Sequence, residues 1–186
     1  MRRLRVFNSV SLDGYFTDSK GDISWAHRRD PEFDEFVSSN AQGGGVLVFG
    51  RVTYDMMVSY WPTEEAMKNM PEVARGMNDA QKIVFSRSMQ KASWKNTRVI
   101  NGDIAAEMRR LKGESGPDMV ILGSGSIVAQ LSDARLIDSY QLVMNPIALG
   151  AGRTMFERME QPLNFKLCDT RTFQNGNVVL EYDLAG

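Results

Sequence analysis

The sequence of 186 residues contains one cysteine, Cys168, and one histidine, His27. One cysteine cannot form a disulfide within the chain, and these two residues are too few for a zinc site of cysteine and histidine ligands. A protein so poor in cysteine suits a reducing compartment. The amino-terminal residues also lack the apolar stretch of a signal peptide. We therefore expect a cytoplasmic protein without a bound metal.

Long apolar runs and an excess of charge of one sign are missing as well. The 22 lysines and arginines nearly balance the 23 aspartates and glutamates, which leaves a net charge of −1. Nucleic acid is therefore not an expected partner. No apolar run approaches the roughly 20 residues that a membrane-spanning helix needs, so we expect no membrane association. With 42% hydrophobic residues, the whole chain, 1–186, is predicted to form one domain around a single core.

Short apolar runs alternate with helical patterns along the chain. Runs such as "VLVF", "KIVF" and "MVIL" are typical of parallel strands that are covered on both faces. Two longer runs flank Asn175-Gly176, a strong hairpin signal. The predicted strands are 4–10, 46–49, 82–85, 98–100, 119–122, 139–144, 164–173 and 178–184. The predicted helices follow the N-cap Asp30 and cover 51–60, 63–78 with a break at Pro71, 103–112 and 126–131.

This alternation predicts an α/β fold of three layers, whose central sheet is mostly parallel and ends in a C-terminal antiparallel hairpin. Binding sites in such folds lie beyond the carboxyl ends of the strands. Three strand-to-helix junctions carry residues that suit phosphate groups there: Gly50, Arg51 and Thr53; Ser86, Arg87 and Ser88; Gly123 to Ser126.

Each junction combines donors that an anion needs, namely hydroxyls, arginine or the free N–H groups of a helix start. The same residues are also common in turns and caps, so a single junction is weak evidence. Three together indicate an extended ligand with several phosphates, such as a dinucleotide. The third junction is neither a Rossmann fingerprint, because its third glycine is missing, nor a Walker loop, because Gly-Lys-Ser/Thr is absent.

Five motifs occur in the order "SLDGYF", "GRVTYDMM", "FSRS", "ILGSGSIVAQL" and "LIDSYQLVMNPIALGAGRTMF". In this order they resemble the dihydrofolate reductase-like superfamily, over nearly the whole chain. The resemblance is closest to small stand-alone proteins similar to the reductase domain of the riboflavin-pathway deaminase–reductase. It implies a homodimer that binds NADPH across the strand ends. It also implies hydride transfer to a small heterocyclic or ribosylaminopyrimidine-like substrate, such as 5-amino-6-(5-phosphoribosylamino)uracil in riboflavin biosynthesis.

The resemblance also assigns residues to the cofactor. The first and third junctions would meet the pyrophosphate, the second would meet the adenosine 2′-phosphate, and the loop from Ser9 to Phe16 would line the nicotinamide. The implied cofactor-binding residues are Ser9, Val10, Phe16, Gly50, Arg51, Thr53, Ser86, Arg87, Ser88, Leu122, Gly123, Ser124, Gly125 and Ser126. Asn8, Trp25 and Asp34 are the implied substrate contacts.

Asp34 occupies the position of the carboxylate that folate reductases carry on their first helix, so it is the candidate proton donor. A carboxylate in a pocket without water has a raised pKa and can protonate a substrate. Glu35 is one residue away. The alternative is that Asp34 lies on the solvated face of an amphipathic helix.

Three positions depart from the family pattern. Ala80 stands where folate reductases carry the arginine that holds the glutamate carboxylate of folate, and Val128 replaces a tyrosine. Phe7 is found where riboflavin-pathway reductases typically carry a lysine. The substrate is therefore open, and two alternatives remain: a dihydrofolate or pteridine reductase, or a non-catalytic NADPH-binding protein.

Overall fold

The computed structural model describes residues 1–157 and 159–185, and ten β-strands and six α-helices lie in this part of the chain. The strands are β1 (Leu4–Ser11), β2 (Tyr15–Asp18), β3 (Val46–Gly50), β4 (Lys82–Phe85), β5 (Thr97–Ile100), β6 (Met119–Leu122), β7 (Ser139–Asn145), β8 (Gly152–Thr154), β9 (Phe165–Thr172) and β10 (Val178–Leu184). The helices are α1 (Pro31–Gln42), α2 (Arg51–Tyr60), α3 (Glu64–Asn69), α4 (Pro71–Asp79), α5 (Ile104–Gly113) and α6 (Gly125–Asp133).

Eight strands form one sheet in the order β5-β4-β3-β6-β1-β7-β10-β9. The first six are parallel to their neighbours, and β10 runs antiparallel to both β7 and β9. This confirms the predicted mostly parallel sheet with an antiparallel end. All eight predicted strands are found, and each of their ends lies within one residue of the predicted end. The pair β2–β8 forms a separate small sheet that was not predicted.

Helices cover both faces of the sheet, as predicted. On one face, Met108 and Leu111 of α5 and Val128 and Leu131 of α6 join a cluster with the buried side chains of β1, β3, β4 and β6. On the other face, α1, α2 and α4 contribute apolar side chains to two further clusters. The result is three layers, with the apolar core between each helix layer and the sheet. No helix in the described part of the chain is both long and apolar enough to cross a membrane.

The helix limits follow from local chemistry. The Asp30 carboxylate accepts a hydrogen bond of 2.8 Å from the backbone N–H of Phe33 and caps α1. Pro71 cannot donate to a preceding carbonyl, so the predicted helix over 63–78 is two helices that meet at Met70. The strand predicted to reach Phe173 ends at Thr172 instead, because the N–H of Phe173 donates to the carbonyl of Asn177 inside the hairpin turn.

The six parallel strands all end at one border of the sheet, which we call the carboxyl edge. It consists of residues 12–14, 51–53, 86–88, 101–103, 123–126 and 146–150, which directly follow β1, β3, β4, β5, β6 and β7. The start of β10 lies at the same border, because Val178 pairs with Met144 near the end of β7. All three predicted phosphate junctions therefore lie along this edge.

Candidate active site

The carboxyl ends of β1 and β6 are joined by the side chain of Asn8. Its Oδ1 accepts a hydrogen bond of 2.7 Å from the N–H of Gly123, and its Nδ2 donates to the carbonyl of Gly123 at 3.3 Å. The same Nδ2 lies 2.8 Å from Sδ of Met155. Asn8 is buried, so in this structure its side chain fixes two strand ends. Its predicted contact with the substrate stays a prediction.

The starts of α2 and α6 are held side by side. The N–H of Gly50 donates to Oγ of Ser124 at 2.7 Å, and the N–H of Ser124 donates to Oγ1 of Thr53 at 3.0 Å. Gly123 and Ser124 both have left-handed backbone conformations, with φ of 61° and 60°. A Cβ added to Gly123 would lie 3.0 Å from the Thr53 side chain. Glycine therefore allows the close approach of the two junctions.

These two helix starts form a place for an anion. Within residues 1–157 and 159–185, no side chain caps the first turn of α2 or of α6, so N–H groups at these two helix starts remain free. The helix dipoles add partial positive charge at both starts. Arg51 is exposed at the start of α2, where its Nε lies 2.5 Å from Oδ2 of Asp55. Ser126 is exposed in the first turn of α6, and Leu122 is half-buried at the end of β6.

The second predicted junction lies next along the edge, after β4. Oγ of Ser86 accepts a hydrogen bond of 3.0 Å from the N–H of Met89, which makes a tight turn. Arg87 and Ser88 are exposed on that turn. Within residues 1–157 and 159–185, Arg87 makes no ion pair. Its guanidinium is thus free to bind an anion.

Asn101 supports the same turn and was not predicted. Its Nδ2 donates to the carbonyls of Ser86 and of Met89, the latter at 3.0 Å. Asn101 directly follows β5, so it joins the ends of β4 and β5. The one feature of the sequence that could have indicated this role is the position of Asn101 directly after a predicted strand.

The loop predicted to line the nicotinamide contributes side chains to the core as well. Val10 and Phe16 are buried and Ser9 is half-buried. A Cβ added to Gly125 would lie 2.7 Å from the Phe16 ring and 3.2 Å from the carbonyl of Thr154. The small sheet of β2 and β8 is therefore packed against the start of α6, and the absence of a side chain at Gly125 permits this.

Asp13 fixes the turn that follows β1. Its carboxylate accepts hydrogen bonds from the N–H groups of Leu149 and Gly150, the latter at 2.7 Å, and from Oγ of Ser11 at 2.6 Å. The Ser11 hydroxyl and these two N–H groups lower the pKa of Asp13 to about 2. The turn Asp13-Gly14 was predicted only as part of the loop from Ser9 to Phe16 that would line the nicotinamide. The structure joins it to the loop after β7, and nothing local in the sequence signals that contact.

Asp34, the predicted proton donor, lies at the start of α1. The carboxylate of Asp34 is half-buried, and its Oδ2 lies 2.9 Å from Nε of Arg29. Trp25 is half-buried in a short 3-10 turn, and its Nε1 donates to the carbonyl of Asp22 at 3.0 Å. Within the described residues, no hydrogen bond joins Trp25 to Asp34. Their predicted roles in substrate binding and proton transfer stay predictions.

Four phenylalanines pack together between α1, β1 and the β9–β10 hairpin. Phe36 contacts Phe7 of β1 with ring centroids 6.4 Å apart, and Phe33 contacts Phe173 of the β9–β10 hairpin edge-on at 5.1 Å. Nδ2 of Asn175 donates to the carbonyl of Arg28 at 2.9 Å. The tip of the hairpin therefore closes against the start of α1. Phe7, where the resemblance leads us to expect a lysine, is part of this apolar wall.

Comparison with known proteins agrees with this architecture. Residues 2–179 match the model of the RibD C-terminal domain family. Two proteins of Bacillus subtilis are similar to the chain. The uncharacterized protein YyaP is 28% identical, over 100% of this chain and 96% of its own length. The uncharacterized protein YwjB is 26% identical, over 92% of each.

Three solved structures are similar in fold. A putative riboflavin biosynthesis protein of Shewanella sp. PV-4 has a TM-score of 0.74 at 22% identity, over 99% of both chains. A deaminase/5-amino-6-(5-phosphoribosylamino)uracil reductase of Thermotoga maritima gives 0.67 at 14%, over 99% of this chain and 57% of its own. Dihydrofolate reductase of Enterococcus faecalis, complexed with NADP(H), gives 0.68 at 14%, over 99% and 97%. The fold is that of the dihydrofolate reductases, and the chain belongs to the RibD C-terminal domain family.

Proposed function

We propose that the protein is an NADPH-dependent reductase that transfers hydride to a small heterocyclic substrate. The observation that carries the proposal is the pair of uncapped helix starts at the carboxyl edge, held together by the hydrogen bond from the N–H of Gly50 to Ser124. Two adjacent sets of free N–H groups suit the two phosphates of a dinucleotide. Membership of the RibD C-terminal domain family supports a reductase.

The other predicted cofactor residues lie along the same edge, on either side of the two helix starts. Arg87, exposed and free of an ion pair in the described chain, would bind the 2′-phosphate that distinguishes NADPH from NADH. The turn from Ser9 to Phe16 would lie against the nicotinamide through its backbone. When bound, NADPH supplies the hydride, and the protein supplies binding, orientation and exclusion of water.

We infer that Asp34 serves the substrate. It is half-buried at the start of α1, where Arg29 holds its carboxylate at 2.9 Å. From there the carboxylate would guide a proton, directly or through a water, to the substrate atom next to the carbon that receives the hydride. The name of the Thermotoga maritima protein supports 5-amino-6-(5-phosphoribosylamino)uracil as the first substrate to test.

A second candidate is a protein that binds NADPH without this turnover, or that reduces a pteridine. The packing of Phe7 against Phe36 at 6.4 Å favours it, because the space between β1 and α1 is apolar at the position where the resemblance implies a lysine. A planar ring without a phosphate suits such a wall better than a phosphorylated ribose does.

The loss of NADPH absorbance tests the proposal. The purified protein is mixed with NADPH and, in separate reactions, with 5-amino-6-(5-phosphoribosylamino)uracil, dihydrofolate, or simple aldehydes and quinones. We expect oxidation of NADPH with one heterocycle and a much lower rate with NADH. Tight NADPH binding without turnover on any of them would favour the binding protein, and no NADPH binding would contradict both candidates.

We also propose a homodimer in the cytoplasm. The edge strand β9 supports self-association, because every residue from Lys166 to Thr172 is exposed. Sedimentation velocity at micromolar concentration measures the mass in solution. A monomer across the concentration range would contradict the proposed dimer.

A further inference from the structure

Two asparagines at the carboxyl edge are buried with unsatisfied side chains. In the part of the chain that the structure describes, three buried side-chain polar atoms have no hydrogen-bond partner: Oδ1 of Asn145, and Oδ1 and Nδ2 of Asn177. Both residues have 0% exposure. A buried polar group without a partner costs about 1–3 kcal/mol. Three such atoms in two residues therefore lower the stability of the folded protein, unless a ligand supplies the missing hydrogen bonds.

The two asparagines lie at adjacent positions on paired strands. Asn145 is the last residue of β7, and Asn177 precedes the first residue of β10; the neighbouring pair Val178–Met144 aligns the two strands. On the other side, Asn145 is in register with Ser11 at the end of β1. The pair therefore lies at the same edge as the candidate site, beside the turn that Asp13 holds.

The hydrogen bonds of Asn145 fix the direction of its side chain. Its Nδ2 donates to the carbonyl of Val143 at 3.0 Å and, more weakly, to that of Val10 at 3.5 Å. Its Oδ1 is therefore an oriented acceptor. Asn177 adds one further acceptor and an amide donor. The pair thus offers two acceptors and a donor from adjacent positions on neighbouring strands.

We propose that Asn145 and Asn177 form a hydrogen-bonding subsite for the lactam edge of a heterocyclic substrate, in which ring N–H groups stand beside a carbonyl. Ring N–H groups would donate to the two Oδ1 atoms, and the ring carbonyl would accept from Nδ2 of Asn177. The inference rests on the proposed reductase function. It assigns recognition of the substrate ring to these two side chains.

The hairpin tip from Phe173 to Asn177 covers this subsite. Outside its own turn, the tip is held by the exposed hydrogen bond from Asn175 to the carbonyl of Arg28 and by the buried ring of Phe173, which contacts Phe33 edge-on and Phe36 at 5.6 Å. No ion pair involves residues 173–177 in the described chain. A substrate ring reaches the two asparagines when the tip moves away from α1.

Two small rings serve as probes. 6-Aminouracil carries the lactam edge, and 6-amino-2,4-dimethoxypyrimidine has the same ring with its N–H groups and carbonyls removed. Their binding to the full-length protein is measured by calorimetry with NADP⁺ present, together with the NADPH affinity and Tm. The variants are Asn177→Ala and Asn145→Ala. Asn78→Ala is the matched control, because Asn78 bonds the carbonyl of Trp61 and Nε1 of Trp94 away from the carboxyl edge.

We expect 6-aminouracil to bind the wild type about tenfold or more tightly than the dimethoxy ring, which corresponds to the loss of one buried hydrogen bond. Asn177→Ala and Asn145→Ala should each weaken 6-aminouracil by about tenfold and leave NADPH affinity unchanged. Asn177→Ala should keep Tm close to that of the wild type, because it removes two unsatisfied atoms. Asn78→Ala should lower Tm and leave 6-aminouracil binding unchanged.

The subsite is wrong if Asn177→Ala binds 6-aminouracil as the wild type does, or if the wild type does not distinguish the two rings. A drop in Tm as large as that of Asn78→Ala, with ring binding unchanged, would show a purely structural pair. Failure of the wild type to bind NADPH contradicts the proposed function instead, and the ring titrations without nucleotide then decide the subsite alone.

Discussion

Arg87, which makes no ion pair with any described residue, carries a positive charge on the exposed turn after β4. If it binds the 2′-phosphate, Arg87→Ala removes a charge-assisted hydrogen bond worth about 1.5–3 kcal/mol, which is roughly a 10- to 100-fold loss of NADPH affinity. NADH lacks that phosphate, so its affinity should change by less than about twofold. Calorimetric titration with both nucleotides measures the difference.

Arg109→Ala is the matched control, because Arg109 is exposed on α5 and lies outside the carboxyl edge. It should leave both affinities unchanged. Equal weakening of NADPH and NADH by Arg87→Ala would contradict the assignment of the 2′-phosphate to this turn.

Asp34 is the residue to which we assign the proton. Asp34→Asn keeps the size of the side chain and removes its ability to carry a proton, so kcat should fall by about 100-fold or more while NADPH affinity stays unchanged. The rate of NADPH oxidation under saturating substrate measures kcat. Glu35→Gln is the control, because Glu35 is the exposed neighbour. If Glu35→Gln lowers kcat and Asp34→Asn does not, the two assignments are reversed.

At this scale, the sequence pointed to residues that lie at the strand-to-helix junctions. Gly50, Thr53 and Ser124 were expected at the site, and the structure joins them by hydrogen bonds. Asp13 and Asn177 were not predicted to have these roles. Asp13 bonds backbone more than 130 residues away, and the burial of Asn177 depends on the closed hairpin. Neither contact leaves a local pattern.

The turn Ser11–Gly14 and the loop after β7 act as one unit because Asp13 joins them. Its pKa of about 2 in the folded protein is below the unfolded value near 3.9. The stabilising contribution is therefore fully present above about pH 4 and is lost as the pH falls towards 2. The two segments should remain joined at pH 4.

Hydrogen exchange measures this contact directly. In the wild type, the amides of Leu149 and Gly150 should be protected at pH 4 and pH 7. Asp13→Ala should raise their exchange rates by about tenfold or more, since each loses a charge-assisted hydrogen bond. The amide of Ile147, which donates to the carbonyl of Asn145, is the internal control. Unchanged exchange at Leu149 would contradict the role of Asp13.

At the level of elements, the strands of the large sheet were predicted from their apolar runs, and the two strands of the small sheet were not. Lys82–Phe85 and Met119–Leu122 are continuous apolar strands in the sheet interior, and their predicted limits match the structure. β2 has four residues and β8 has three. Such segments are too short to show a period, and they pair only because the loops that carry them meet.

Lys82 affects the stability of the whole molecule. It has 1% exposure, and its Nζ donates to three backbone carbonyls, that of Ala80 at 2.7 Å. Burial lowers the pKa of Lys82 to about 8, below the unfolded value near 10.4. Between these two values the unfolded chain binds a proton that the folded protein does not, so stability rises with pH in this window.

From pH 8 to pH 10, Lys82 should therefore raise the free energy of unfolding by about 2 kcal/mol. Urea unfolding at pH 8, 9 and 10 measures this slope for the wild type and for Lys82→Met, which should lose most of it. Lys91→Met, at an exposed lysine, should keep the slope of the wild type. An identical slope in Lys82→Met would contradict the lowered pKa.

The whole molecule brings three distant parts of the sequence to one edge of the sheet. The junctions after β3, β4 and β6 lie in adjacent strands because the sheet order is β4-β3-β6. The alternation of strands and helices predicted that their ends share an edge, and the resemblance implied their order. The closed contact between the hairpin and α1 depends on packing between segments that are far apart in sequence, so it was not predictable in this way.

The most direct test of the central claim is a crystal structure of the protein with NADPH. We predict that the pyrophosphate lies between the starts of α2 and α6, within hydrogen-bond distance of backbone N–H groups of residues 51–53 and of Gly125 and Ser126, with the 2′-phosphate at Arg87. NADPH bound elsewhere, or crystals grown with saturating NADPH that contain none at this edge, would contradict the account.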